Sequence, residues 1–282
     1  MAQKLKAAWI GYFDRTNLDN VWPVFEKYAK MGYKAMDGDL SFLPGDASDN
    51  LKRFKDLGLQ PLCSGIGATH AEFRKDPELL KKVIEKAQFY GVDKVNLGWT
   101  TVIRSFRTQY GDFGTYDDVM RDIDDLNATV KLLGDAGLKP MYHNHFQEFT
   151  EVYEGVSVMD HYLTKVDPRL MFKLDVGWVY SGGLNPVDYM EKVKDRIALL
   201  HVKDMLDPVS PHYMEDKERN RNFGFTALGT GMLDLKGIFT KAIEIGQEWV
   251  ISEQDRINNL SWEESMQCGI LNMKETGLVD CD

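Results

Sequence analysis

The sequence predicts an α/β fold closed into a single (β/α)8 TIM barrel, and three observations carry that prediction. Short apolar runs alternate with amphipathic stretches eight times along 282 residues, which calls for a parallel sheet with helical crossovers. Gly32, Gly58, Gly91, Gly137 and Gly246 each separate an amphipathic stretch from the next apolar run, as glycines do where a helix stops and the chain turns back. No glycine-rich phosphate fingerprint follows the first apolar run, which counts against an open dinucleotide-binding sheet. Eight units in under about 300 residues fit a closed barrel. Residues 1–282 are expected to form one domain, since no linker or low-complexity segment interrupts them.

In order, residues 7–13 form the first strand, an apolar run rich in aromatics. Asn17 or Asp19 caps a helix over 20–31, where Val21, Val24, Phe25 and Tyr28 share one face. The second strand covers 34–37. Ser48 is expected to cap a helix over 49–57. The third strand, 60–66, carries Pro61 near its start, where a missing N–H is tolerated. Pro77 opens a helix that ends at Tyr90. The fourth strand is 92–98, the longest helix 116–136, and the fifth strand 138–142, which leads into His143-Asn144-His145. A helix over 155–163 precedes the sixth strand, 170–176. Asn185-Pro186 has the form of a cap followed by a first-turn proline and starts a helix to about 194. The seventh strand is 197–202, followed after a long loop by a helix over 233–245. The eighth strand is 249–252 and the closing helix 262–276. The loop 204–231 is rich in charge and glycine and lacks periodicity. It leaves from the C-terminal end of a strand and is expected to act as a lid.

Composition narrows the functional classes. A net charge of -10 argues against a nucleic-acid surface, which is normally basic. Cys63, Cys268 and Cys281 are odd in number, far apart and without a CxxC, so no disulfide framework is expected and a reducing cytoplasm fits. Cys63 reads as a small core residue. The N-terminus has no long apolar region and no run approaches the roughly 18 apolar residues of a membrane span. These features predict a soluble, cytoplasmic protein without nucleic-acid or membrane partners; a homo-oligomer is compatible with them.

The chemistry gathers at strand ends. His143, Asp175, His201 and Glu253 stand at the ends of strands five, six, seven and eight, and in such barrels the active site lies at that end. Neighbouring strands are about 4.8 Å apart, close enough for four donors to surround one ion. Mixed imidazole and carboxylate donors suit Mn²⁺ or Zn²⁺, with Mg²⁺ and Co²⁺ compatible, and the absence of thiolates argues against a structural zinc cage. Glu148, in the loop after strand five, is a fifth candidate ligand, and the sequence leaves open whether it or His143 fills that side. Each residue alone has a structural reading: Asp175 as a turn former, His201 as a core histidine, Glu253 as a partner of Arg256. Their shared position at four successive strand ends is what those readings leave unexplained. Lys203, on the face of His201, is a candidate for holding a substrate oxygen or oxyanion. Asn144, Trp99 and Trp178 are candidate sugar contacts, the last two by stacking on apolar sugar faces. His70, Arg219 and Arg221 are weaker candidates.

These residues resemble the sugar phosphate isomerase/epimerase superfamily of xylose isomerase-like barrels. The matching elements are His143-Asn-His145 with Glu148-Phe149, Leu174-Asp175, His201-Val-Lys-Asp204, Leu228-Gly-Thr-Gly231 before Asp234, and Glu253. The resemblance implies one divalent metal held by a strand-five donor, Asp175, His201 and Glu253. Many epimerases of the group carry a catalytic glutamate where this chain has His143. The expected activity is isomerisation or epimerisation of a small sugar or keto-sugar. A base drawn from His145, Glu148 or Glu253 would remove the proton next to a carbonyl, giving an enediolate. The alternative is a lyase, either a dehydratase or an eliminase that cleaves the glycosidic bond of an oxidised sugar. A non-catalytic sugar-binding barrel is the third reading.

Overall fold

The computed structural model describes residues 3–11, 18–100, 114–206, 224–255 and 260–282. The end of the first predicted strand at Tyr12 and Phe13, the cap candidates Asn17 and the Asp19 side chain, Arg219, Arg221, Arg256 and the middle of the 204–231 loop lie outside them.

Nine parallel strands form a nearly closed barrel: β1 Leu5–Trp9, β2 Ala35–Met36, β3 Gln60–Pro61, β4 Ser64–Gly65, β5 Lys94–Asn96, β6 Lys139–His143, β7 Met171–Asp175, β8 Ile197–Val202 and β9 Trp249–Ser252. They pair in the order β3-β2-β1-β9-β8-β7-β6-β5-β4. The two ends of that order are consecutive in the chain. β3 pairs with β2 and β4 pairs with β5, so the third predicted strand is split and passes from one neighbour to the other across Leu62-Cys63. The crossing is carried by Leu62 N–H donating to Met36 O at 3.0 Å and Ile66 N–H donating to Asn96 O at 3.2 Å. β10, Val279–Asp280, adds in parallel at the start of β1, an element the sequence pattern did not announce.

Side-chain alternation builds two cores. Outward-facing Leu5, Ala7, Trp9, Phe172, Leu174, Leu200 and Val202 pack among the helices. Ala8, Ala35, Met141, Leu199, Trp249 and Ile251 form a smaller cluster. The parity of the second set continues along each strand to polar residues: Met141 to His143, Leu199 to His201, Ile251 to Glu253, Ala35 to Asp37. One inward row therefore starts apolar and ends in the donors. Register completes the placement. His201 lies directly beside Asp175 across β8 and β7, and His143 beside Lys173 across β6 and β7.

The described helices are α1 Val21–Met31, α2 Ala47–Asp56, α3 His70–Lys75, α4 Pro77–Tyr90, α5 Tyr116–Asp135, α6 Gln147–Thr150, α7 Val158–Lys165, α8 Val176–Ser181, α9 Pro186–Lys192, α10 Leu235–Glu244 and α11 Trp262–Glu275. α2 is capped by Asp46, whose carboxylate accepts from the Ser48 and Asp49 N–H groups; Ser48, expected in that role, lies inside the first turn. Thr69 with Glu72, Thr115 with Asp118 and Ser261 with Glu264 make reciprocal capping boxes. Short α3, α6 and α8 were not expected, because four to six residues are too few to display a helical period. Asp204 pins both ends of the long loop: its carboxylate accepts from the N–H groups of Gly229, Gly231 and Leu233 at 2.9, 2.9 and 3.2 Å. Among the described residues no helix is long and apolar enough to cross a membrane.

Candidate metal centre

The inward row at the ends of β6 to β9 delivers His143, Asp175, His201 and Glu253, and one ligand-type atom from each lies within 4.8 Å of the others. Asp175 and His201 are buried, 0% and 1% exposed. Asp175 Oδ1 accepts from the Trp178 N–H at 3.0 Å and so caps α8. Its buried Oδ2 is ion-paired with the Lys203 ammonium at 3.1 Å. That oxygen already faces a cation of the protein itself, and an entering metal ion would share it with Lys203 or displace that ammonium.

His201 is held from both sides. Nδ1 is 2.6 Å from Glu253 Oε2 and Nε2 is 2.8 Å from Asp37 Oδ2. Asp37 also receives the Lys173 ammonium at 2.7 Å and the Cys63 thiol at 3.0 Å. Burial works against its negative charge, but Lys173 and His201 outweigh burial and hold the Asp37 carboxyl well below the usual range. A carboxylate there requires a proton on Nε2, which leaves Nδ1 as the atom facing the other donors. This is the carboxylate–histidine arrangement that orients metal-binding imidazoles. At His143, Nδ1 stands 3.3 Å from the Lys173 carbonyl, an acceptor only, so that nitrogen carries the proton and Nε2 keeps its lone pair.

The charges are arranged to favour a donor cluster. Burial, reinforced by the neighbouring His201, holds the His143 pKa well below that of a free imidazole, keeping it neutral. Burial also opposes charging of His201, yet Glu253 and Asp37 raise its pKa to about 9. Burial pushes Asp175 up to about 7; Lys203 opposes the rise and Glu253 adds to it. Glu253 is driven up by burial and down more strongly by Lys203 and His201, and ends well below its ordinary value. Two neutralisable imidazoles and two carboxylates match the donor chemistry of a divalent ion.

The other predicted residues fall in distinct places. His145 lies two residues beyond the end of β6 and lines the cavity above the donors, its ring 4.9 Å from that of His143 and 5.5 Å from that of Trp99. Trp99, 38% exposed, lines the same cavity. The other three candidate sugar contacts do not line it. Lys203 is 0% exposed and sits among Asp175, Glu253 and Asp255, 2.6 Å from the last. Trp178 is buried on α8, its ring 4.5 Å from the Lys203 ammonium. Asn144 ties β6 to β7, accepting from Asp175 N–H at 2.9 Å and donating to Asp175 O at 3.1 Å. Glu148 is not brought to the donor group. It lies on α6, not in a loop, fully buried, accepting from Tyr142 O–H at 2.7 Å and His145 N–H at 2.9 Å. Its position is physically reasonable: with both oxygens engaged it fixes the backbone that presents His145.

Sequence reading missed Asp37, Lys173 and Asp255. Asp37 had a signal, since it ends the second strand as Asp175 ends the sixth. Lys173 had one in its parity with Asp175. The open cavity over the centre has a volume of about 700 Å³, within the range of small-molecule sites.

Comparison with known proteins adds to this geometry. The model of the xylose isomerase-like TIM barrel family matches residues 25–274. The chain belongs to that family. Within the xylose isomerase-like barrels, one curated relative is the inosose dehydratase of Geobacillus kaustophilus, 29% identical over 140 residues, which is 48% of this chain and 44% of that protein. The chain thus spans under half the length of that relative. Among solved structures, a sugar phosphate isomerase/epimerase from Parabacteroides distasonis superposes with a TM-score of 0.72 at 22% identity, covering 96% of this chain and 93% of the other. The IolI protein, solved with a zinc atom, gives 0.66 at 17% identity over 96% and 98%. These two likenesses concern the barrel fold.

Proposed function

We propose that this xylose isomerase-like barrel is a divalent-metal-dependent enzyme that removes the proton next to the carbonyl of a sugar or keto-sugar and then eliminates a β-substituent. The observation that carries the reading is the group of His143, Asp175, His201 and Glu253, whose ligand-type atoms lie within 4.8 Å of one another. A divalent ion held there would supply Lewis acidity to the substrate oxygens at the carbonyl. Glu148, tied to Tyr142 and the His145 backbone, is removed from the list of bases. His145 then serves as acid and base, because among the described residues it is the cavity-lining imidazole outside the donor group. It takes the proton from carbon as the double bond forms, and returns it to the departing oxygen, so a hydroxyl leaves as water. The Trp99 ring stands nearly perpendicular to that ring, with centroids 5.5 Å apart. The name of the curated relative, inosose dehydratase, supports elimination.

The second reading, isomerisation or epimerisation, keeps the same first step. It is favoured by Glu253, whose side chain is 14% exposed and lines the cavity, giving a second proton-handling group. Product analysis in deuterated water separates the two. An unsaturated product that has lost its β-substituent, as water from a hydroxyl or as an alcohol from a glycosidic oxygen, supports elimination. A product of unchanged composition carrying one deuterium at the carbon next to the carbonyl supports epimerisation. Equal behaviour of metal-stripped and metal-loaded protein would remove the metal-dependent reading altogether.

A further inference from the structure

The donors all come from β6 to β9, one side of the barrel mouth. A second cavity of about 360 Å³ opens on the other side, over the ends of β1 to β5, and shares Ile10, Asn96 and Lys173 with the first. The two are lobes of one cleft. Two polar atoms in the wall of the second lobe are buried without hydrogen-bond partners, Ser64 Oγ and Asn96 Oδ1, and Ser64 is only 2% exposed. Its charged groups are already committed. Lys173 and the Cys63 thiol are on Asp37, and Asp39 pairs with Lys86 at 3.3 Å. Phe42, 38% exposed, offers an aromatic surface beside them.

We infer that this lobe is a second sugar subsite, so that the substrate is a glycoside with two rings. The inference rests on the keto-sugar reading above. One ring lies over the donors beside His145 and Trp99, and the other in the lobe of Ser64, Asn96 and Phe42. An orphaned hydroxyl and an orphaned amide oxygen call for the donors and acceptors of a polyol, and an aromatic face packs on the apolar side of a pyranose. With Lys173, the one lysine among the described lining residues, spent on Asp37, the second ring is uncharged, not phosphorylated or oxidised to an acid.

The test is calorimetric titration of the Mn²⁺-loaded protein with 3-keto-glucose and 3-keto-cellobiose, run alongside turnover of both. The two-ring probe is expected to bind about tenfold tighter, the yield of one or two well-made hydrogen bonds. Phe42→Ala and Ser64→Ala should each reduce that ratio while leaving affinity for the one-ring probe and for Mn²⁺ unchanged. If both probes bind alike to the parent, or if the preference survives in both variants, the subsite is refuted. Turnover of both probes with equal kcat/KM refutes the subsite and leaves the reaction standing. A two-ring preference sensitive to Phe42→Ala without turnover of either probe supports the subsite and refutes the reaction.

Discussion

Two buried aspartates at strand ends of the same barrel show opposite chemistry. Asp37, beyond β2, accepts from Lys173, His201 and Cys63 and has its pKa depressed. Asp175, at the end of β7, accepts from the Trp178 N–H, is ion-paired with Lys203 at 3.1 Å and has its pKa raised to about 7. Their exposures are 4% and 0%, so burial does not separate them. What separates them is the charge around them: Lys173, His201 and the Cys63 thiol outweigh burial at Asp37, whereas Lys203 does not outweigh burial at Asp175 and the neighbouring Glu253 adds to the rise. On the proposed reading, Asp37 orients His201 and Asp175 is the carboxylate that would meet an ion.

The variant expected to have the largest effect acts on the Asp175 side. His201→Ala should lose the divalent ion and turnover together, with an affinity loss exceeding the roughly 10–100-fold that supporting residues of a metal site cost. Equilibrium titration with Mn²⁺ or Zn²⁺ checks it, and parental affinity in this variant would end the metal assignment. Next, His145→Ala should keep the ion and reduce kcat by about 10²–10⁴, the range for a general acid or base. Loss of the ion in that variant would mean that the centre is built around the other histidine.

Asp37→Asn sharpens the comparison. If Asp37 only orients His201, metal affinity should fall by about 10–100-fold without vanishing. Removing its charge also leaves Lys173 unpaired, so Lys173→Met in the same background should restore folding stability while leaving the metal defect. No change in affinity for Asp37→Asn would deny Asp37 a part in the centre.

The smallest effect concerns stability. His70 on α3 is buried against Thr129, and burial lowers its pKa to about 4. A histidine depressed in the fold releases its proton on folding. Its contribution is complete above the unfolded pKa of about 6.5 and is lost as pH falls toward 4, at most roughly 3 kcal/mol. His70→Gln should flatten the dependence of urea midpoints between pH 6.5 and 4. An unchanged slope would mean that other groups govern acid unfolding.

Much of this molecule is written in local pattern. The limits of α4, β8 and β9 agree with the sequence reading at Pro77–Tyr90, Ile197–Val202 and Trp249–Ser252, because apolar periodicity, a first-turn proline and stop glycines act over a few residues. The grouping of His143, Asp175, His201 and Glu253 was legible for the same reason: alternation along one strand decides which side chains share a face. Only the tertiary structure decided the rest. Whether an acid is satisfied depends on partners 26 to 164 residues away, as Cys63 and His201 are from Asp37, and no local pattern records them. Likewise, Lys203 and Trp178 carry the right chemistry for sugar contact, yet packing buries both away from the cavity lining. Glu148 was drawn from the candidate ligands by one turn of helix and a tyrosine on the outward face of β6. Residue type and parity follow from local sterics. The number of donors around each buried charge is set by the closure of the barrel, which brings strands distant in sequence to one mouth.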